Sequence, residues 1–195
     1  MFENLSEVYL KQDNVFKSQS KMFHVASQDK IIGTVEEDLS TSKNFVNQLL
    51  KVISLYGSTS LHLKLLDNQT GLMGDLTRDR GFNQDYTYYS KKEGLSYIIE
   101  TKISIKNPSL TIYNEEKEKI ISVNGGFGAN SFDVKSETEG EAIMTVKKSM
   151  VPSSLKQLVK STDVYSLKFT DNAKKYAEDL LLVIGIVLDL SFHER

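Results

Sequence analysis

The stretch EDLLLVIGIVLDL, residues 178–190, contains nine consecutive residues, 180–188, with no polar side chain between Asp179 and Asp189. Water disfavours such a segment strongly, because each large apolar side chain left exposed forfeits about 1.5–3 kcal/mol. With its mixed flanks from Ala177 to Leu190 it has about fourteen residues, short of the roughly 20 that span a bilayer. No transmembrane span is expected. A strand has propensity behind it, since Val183, Ile184, Ile186 and Val187 are β-branched, but it would be apolar on both faces and carry Gly185 at its middle. A helix over about residues 177–190 reaches about 21 Å and is apolar all round, so protein must enclose it. A sheet closed around the helix meets that demand.

The rest of the chain supplies a sheet. MFHVA and KIIGTV flank SQDK, SLHLKLL and GLMGDLT flank DNQT, SLTIYN and KIISV flank EEKE, and SFDVKS and EAIMTV flank ETEG. Each pair has the alternation and turn chemistry of a β-hairpin. Leu61, Leu63 and Leu65 share one face of their strand while His62 and Lys64 share the other; Phe132 and Val134 oppose Asp133 and Lys135 in the same way. In TKISIKN, Ile103 and Ile105 are read as opposing Lys102, Ser104 and Lys106. With SYIIETKISI and VYSLKFT added, an antiparallel sheet of about ten to twelve strands is predicted, and a sheet of that size curls or closes to remove its edges. One further segment is helical by spacing. In STSKNFVNQLLKVISLYG, Phe45, Val46, Leu49, Leu50, Ile53 and Tyr56 recur at helical intervals, with Thr41 or Ser42 as N-cap and Gly57 at the C-cap. An amphipathic helix over about residues 43–56 is predicted, packed over one end of the sheet.

Charge and composition narrow the function classes. The 24 basic and 26 acidic residues nearly cancel and no long basic run occurs, so nucleic acid is not an expected partner. There is no cysteine, hence no disulfide framework or thiolate metal site, which fits a reducing compartment. The amino-terminal MFENLSEVYLKQDNVF does not read as a secretory signal, and a cytoplasmic location, peripheral to a membrane if lipid is bound, is the expectation.

Hairpins followed by VYSLKFTDNAKKYAED and then an apolar LLLVIGIVLD ending in an acidic residue resemble the tubby C-terminal-like superfamily. That group comprises tubby proteins, phospholipid scramblases and LURP-one-related proteins, and the short bacterial LURP-one-related form is the most similar in plan. The similarity covers about residues 20–191. It implies a single domain over residues 1–195, a closed antiparallel barrel of about 12 strands around a central C-terminal hydrophobic helix. Residues 1–19 would be an extension or first strand, and the 43–56 helix a decoration. It also implies binding rather than catalysis. Tubby domains hold phosphoinositide headgroups through basic residues on the barrel wall, but on the corresponding GLMGDLTRD this chain has Asp75 and Thr77, with Arg78 and Arg80 displaced beyond them. Scramblases carry an acidic calcium-binding segment before the helix. Here that stretch has Asp171, Glu178 and Asp179 interrupted by Lys174 and Lys175, without the alternating carboxylates and glycine turn of an EF-hand loop, so no metal site is expected.

No catalytic constellation is present. His24, His62 and His193 are scattered, no serine occupies a nucleophile elbow, and GGFGAN at residues 125–130 precedes a strand rather than a helix, which makes it a turn rather than a phosphate cradle. Neither an enzyme nor a cofactor is expected. Candidate anion or headgroup residues are Lys102 and Lys106 on one strand face, Lys147 and Lys148 at the end of another, and Arg78 and Arg80; adjacent strands would gather the lysines into a basic patch. Tyr86, Tyr88 and Tyr97 are either the edge of a protein-binding face or ordinary barrel packing. The expectation is therefore a non-enzymatic binding or scaffolding module for a protein partner or membrane phospholipid headgroups. The alternatives are a barrel carrier of an apolar small ligand and a scramblase-like lipid-handling protein.

Overall fold

The computed structural model describes residues 6–12, 22–27, 30–38, 59–80, 85–104, 106–150 and 163–192. The strands are β1 (Glu7–Gln12), β2 (Met22–Ser27), β3 (Lys30–Glu37), β4 (Leu61–Asp67), β5 (Gly71–Arg78) and β6 (Tyr86–Ser90). They continue as β7 (Leu95–Lys102), β8 (Ser109–Tyr113), β9 (Lys119–Gly125), β10 (Ser131–Ser136), β11 (Ala142–Met150) and β12 (Asp163–Phe169), and the chain then enters α1 (Glu178–Phe192). Every strand pairs antiparallel with its neighbours in sequence, and β1 pairs with β12 through Leu10 opposite Tyr165 and Val8 opposite Leu167. The barrel is closed, and the exposed ladder edge that invites aggregation is abolished. Register shifts in the β2–β3, β4–β5, β8–β9 and β10–β11 hairpins add the local bend and twist that help the sheet curl.

Alternation is what sorts these strands into an inner and an outer wall. Leu61, Leu63 and Leu65 are buried while His62 and Lys64 face out, and Phe132 and Val134 are buried while Asp133 and Lys135 face out. Side chains alone fill an eight-stranded barrel, but twelve strands leave an axial space wide enough for a helix about 10–12 Å across. The apolar segment fills it. From Leu180 to Leu188 no side chain is more than 2% exposed, and all pack in one cluster with Val8, Leu10, Phe23, Ile99 and Leu167 of the inner wall. A helix of 15 residues is about 22 Å long, matching the height of tilted strands of five to nine residues. Gly185 is where the helix comes nearest the wall: a Cβ there would sit 2.6 Å from Leu10 Cδ1 and 3.2 Å from Leu167.

The alternation in TKISIKN does not continue as strand. β7 stops at Lys102, Ile103 is 39% exposed, and the Ser104 hydroxyl accepts a hydrogen bond from the Asn107 backbone N–H, a local turn that competes with the ladder. The 43–56 helix, Ile105 and His193 lie outside the described residues.

Candidate functional site

The basic residues singled out from the sequence are not brought together. Lys102 ends β7 and Lys106 lies in the bend beyond it, so the two do not share a strand face. Lys147 and Lys148 belong to β11, which β8, β9 and β10 separate from β7. Four ladder steps of about 4.8 Å place the two pairs roughly 19 Å apart around the wall, so adjacent strands do not assemble the expected patch. Lys147 points outward, whereas Lys148, on the parity of buried Met144 and Val146, is half-buried. Arg80 is exposed beyond the end of β5.

Arg78 goes inside. It shares the parity of Gly74 and Leu76 on β5, is 6% exposed, and donates through Nη1 to the Tyr86 hydroxyl (2.9 Å) and through Nη2 to the Thr59 carbonyl (3.2 Å), with its guanidinium 5.2 Å from the Tyr86 ring centroid. The Ser191 hydroxyl of the last turn of α1 donates to the same Tyr86 oxygen (3.4 Å). A buried guanidinium therefore stands at the negative end of the helix dipole, where a cation is favoured. Phe192 packs on Phe132 at this end with ring centroids 5.5 Å apart.

The tyrosines also face inward, as packing rather than as a docking edge. Tyr86, Tyr88 and Ser90 occupy alternate positions of β6 and are fully buried, and Tyr97 stacks on Tyr88 at 6.4 Å. At the amino end of α1, Asp179 is fully buried and one of its oxygens, Oδ2, accepts from both the Tyr88 and the Ser90 hydroxyl at 2.6 Å. Short bonds to a carboxylate are the strong class, and an acidic group suits the positive end of the dipole. Burial, reinforced by the Asp179 carboxylate, pushes the Tyr88 phenol far above its usual range. Gly74 on β5 leaves room for the Tyr88 ring, which any Cβ there would strike.

A pocket lies at the amino end of α1. It is a cavity of about 990 Å³ between the β6–β7 turn and the segment leading into α1. Phe169, Ala173, Tyr176, Ala177 and Leu181 give it an apolar side. Lys92 and Glu93 on the turn, with Asp171, Lys174, Lys175 and Glu178 opposite, give it a charged rim. Local bonds hold both walls. Thr170 Oγ1 donates to the Ala142 and Ile143 carbonyls (2.7 and 2.9 Å), Lys175 reaches Glu139 and Glu141 (2.5 and 3.3 Å), and Lys174 pairs with Asp171 (3.1 Å). Across the gap, the Tyr97 hydroxyl donates to Glu93 at 2.6 Å and the Glu93 N–H donates to Ser90 Oγ at 3.4 Å.

Sequence reasoning missed two outer-wall features. His62 Nε2 lies 2.7 Å from Asp75 Oδ1 and its Nδ1 3.9 Å from Asp38, with Lys64 Nζ 2.7 Å from the same Asp38 oxygen. Asp75 is thus tied to its own wall by His62. The second is apolar. Among the described residues four large hydrophobic side chains are exposed, Tyr89, Leu95, Ile98 and Ile103, and all lie on the β6–β7 hairpin or its exit. The register sets Tyr89 diagonal to Ile98 on the outer face, and Tyr113 of β8 directly opposite Ile98. Parity on β6 was the available signal, since Tyr89 alternates with the buried Tyr88 and Ser90.

Among the described residues no group of three or more histidine, aspartate or glutamate side chains is placed to hold a metal ion, and no helix is long and apolar enough to cross a membrane. No protein-family model, curated protein or solved structure matches the chain.

Proposed function

We propose that this chain is a non-enzymatic binding module of the tubby C-terminal-like type, and that it meets a protein partner through the outer face of β6, β7 and β8. The observation that carries this reading is that, among the described residues, the exposed large hydrophobics all lie on the β6–β7 hairpin or its exit. Exposed Tyr and Ile side by side, with a polar surround, are the composition of a protein-binding face. A closed twelve-stranded barrel around an apolar helix is the fold the tubby-like resemblance implies, which supports that assignment. The headgroup reading has less support, because Arg78 is an internal group, the lysines are dispersed and Asp75 is engaged by His62. Carriage of an apolar ligand in the lumen also has less support, since α1 fills the barrel axis.

The test is a pair of binding measurements on one variant. Tyr89→Ser combined with Ile98→Ser should change the melting temperature little, these sites being outward and exposed, while abolishing retention of the partner recovered by the unaltered protein. Binding of the unaltered protein to vesicles rich in phosphatidylserine, lost on Lys102→Glu with Lys106→Glu and insensitive to the apolar changes, would replace the protein-partner reading with the lipid one.

A further inference from the structure

The cavity at the amino end of α1 has a chemistry of its own, and none of the exposed Tyr89, Leu95, Ile98 or Ile103 lines it. Its volume of about 990 Å³ lies at the upper end of the roughly 300–1,000 Å³ typical of small-molecule clefts. One side is apolar. Phe169, Ala173, Tyr176, Ala177 and Leu181 form it, and all five pack on the barrel core, which fixes that surface in place. The charged side is balanced, with Glu93, Asp171 and Glu178 against Lys92, Lys174 and Lys175. Most of these charges are already engaged: Lys174 pairs with Asp171, Lys175 with Glu139 and Glu141, Glu93 accepts from the Tyr97 hydroxyl, and Glu178 is not without a partner. Lys92 stands on an exposed turn directly before Glu93, where solvent screens it. An ion of either sign therefore meets no net countercharge. Bonds within each wall preform the space. Thr170 Oγ1 donates to the Ala142 and Ile143 carbonyls on one side, and the Glu93 N–H donates to Ser90 Oγ on the other.

We infer that the cavity binds an uncharged small molecule of the aliphatic alcohol class, its hydrocarbon part on Tyr176, Ala173 and Leu181 and its hydroxyl at the rim. A hydroxyl both donates and accepts, so the carboxylates and the ammoniums of a mixed rim serve it equally. A charged head group must give up water and finds the rim charges balanced and mostly paired, so it gains less. Affinity then follows the length of the hydrocarbon rather than the sign of a charge.

The probes are 1-butanol, 1-hexanol, hexylamine and hexanoate, titrated into the isotope-labelled full chain and followed by the backbone amide shifts of Ala173, Tyr176 and Leu181. Affinity is expected to rise from 1-butanol to 1-hexanol by about fourfold for each added methylene, with hexylamine and hexanoate both weaker than 1-hexanol. Salt is expected to leave the 1-hexanol affinity unchanged. Tyr176→Ser, which removes part of the apolar side, is expected to weaken 1-hexanol several-fold, while Lys92→Gln, on the exposed turn, leaves it unchanged within about twofold. Shifts absent from these three residues, no gain with chain length, tighter binding of either ion than of 1-hexanol, or an affinity that follows Lys92 and not Tyr176 would overturn the inference.

Discussion

The two ends of α1 are fastened by opposite charges, both against the same strand. At the carboxyl end Arg78 reaches Tyr86, which also receives Ser191; at the amino end Asp179 receives Tyr88 and Ser90. β6 therefore runs a line of polar groups alongside a helix that is otherwise apolar, and each buried charge matches the pole of the helix dipole it faces. The ends differ in how they finish. Phe192 packs on Phe132 at one, and a cavity with a rim of mixed charge lies beside the other.

The sharpest way to break the comparison is to attack what the two ends share. Ile186→Asp places an unpartnered carboxylate at a fully buried position midway along α1 and should cost more than about 4 kcal/mol, seen as loss of the cooperative melt and of β-sheet circular dichroism. Next in size, the carboxyl end of α1 should outweigh the amino end. Arg78→Ala strips Tyr86 and the Thr59 carbonyl of a buried charged donor and should cost about 2–4 kcal/mol in chemical denaturation, whereas Asp179→Asn keeps an acceptor for Tyr88 and Ser90 and should cost about 1–2 kcal/mol. Equal losses would show that an amide oxygen does not replace the Asp179 carboxylate as acceptor for Tyr88 and Ser90.

A smaller effect distinguishes the ends by pH. Burial and the Asp179 carboxylate raise Tyr88 well above its ordinary 10, and burial with Glu93 raises Tyr97 in the same direction. A group whose folded pKa is raised contributes stability that is complete below the unfolded value and fades as pH climbs past it. Stability is thus expected to hold through neutrality and to fall above about pH 10, more gently in Tyr88→Phe, in urea titrations at successive pH. A decline of the same steepness in that variant would remove Tyr88 from the account.

Most of the fold was legible because it follows from period alone. Nine apolar residues in a row forced an enclosed helix, and strict alternation in segments such as SLHLKLL and SFDVKS located strands whose inner faces are buried as read. What failed did so where parity was not followed or was followed too far. Arg78 stands two residues after Leu76 and so belongs inside, yet a charged residue at a strand end reads naturally as surface. Ile103 kept the alternation of β7 beyond the point where the Ser104 turn had ended it. Tyr88 and Asp179 meet across 91 positions, and His62 meets Asp75 only through the β4–β5 register, so neither pairing has a local signature. The mouth cavity has none either, since it is made by segments far apart in the chain.

Removing residues 179–195 tests the enclosed helix most directly. With α1 gone, Tyr88, Phe23, Ile99 and the rest of the inner wall would face an empty axis, and the expected product is insoluble or lacks a cooperative thermal transition. A truncated chain that stays soluble, melts cooperatively and retains β-sheet circular dichroism would contradict the account.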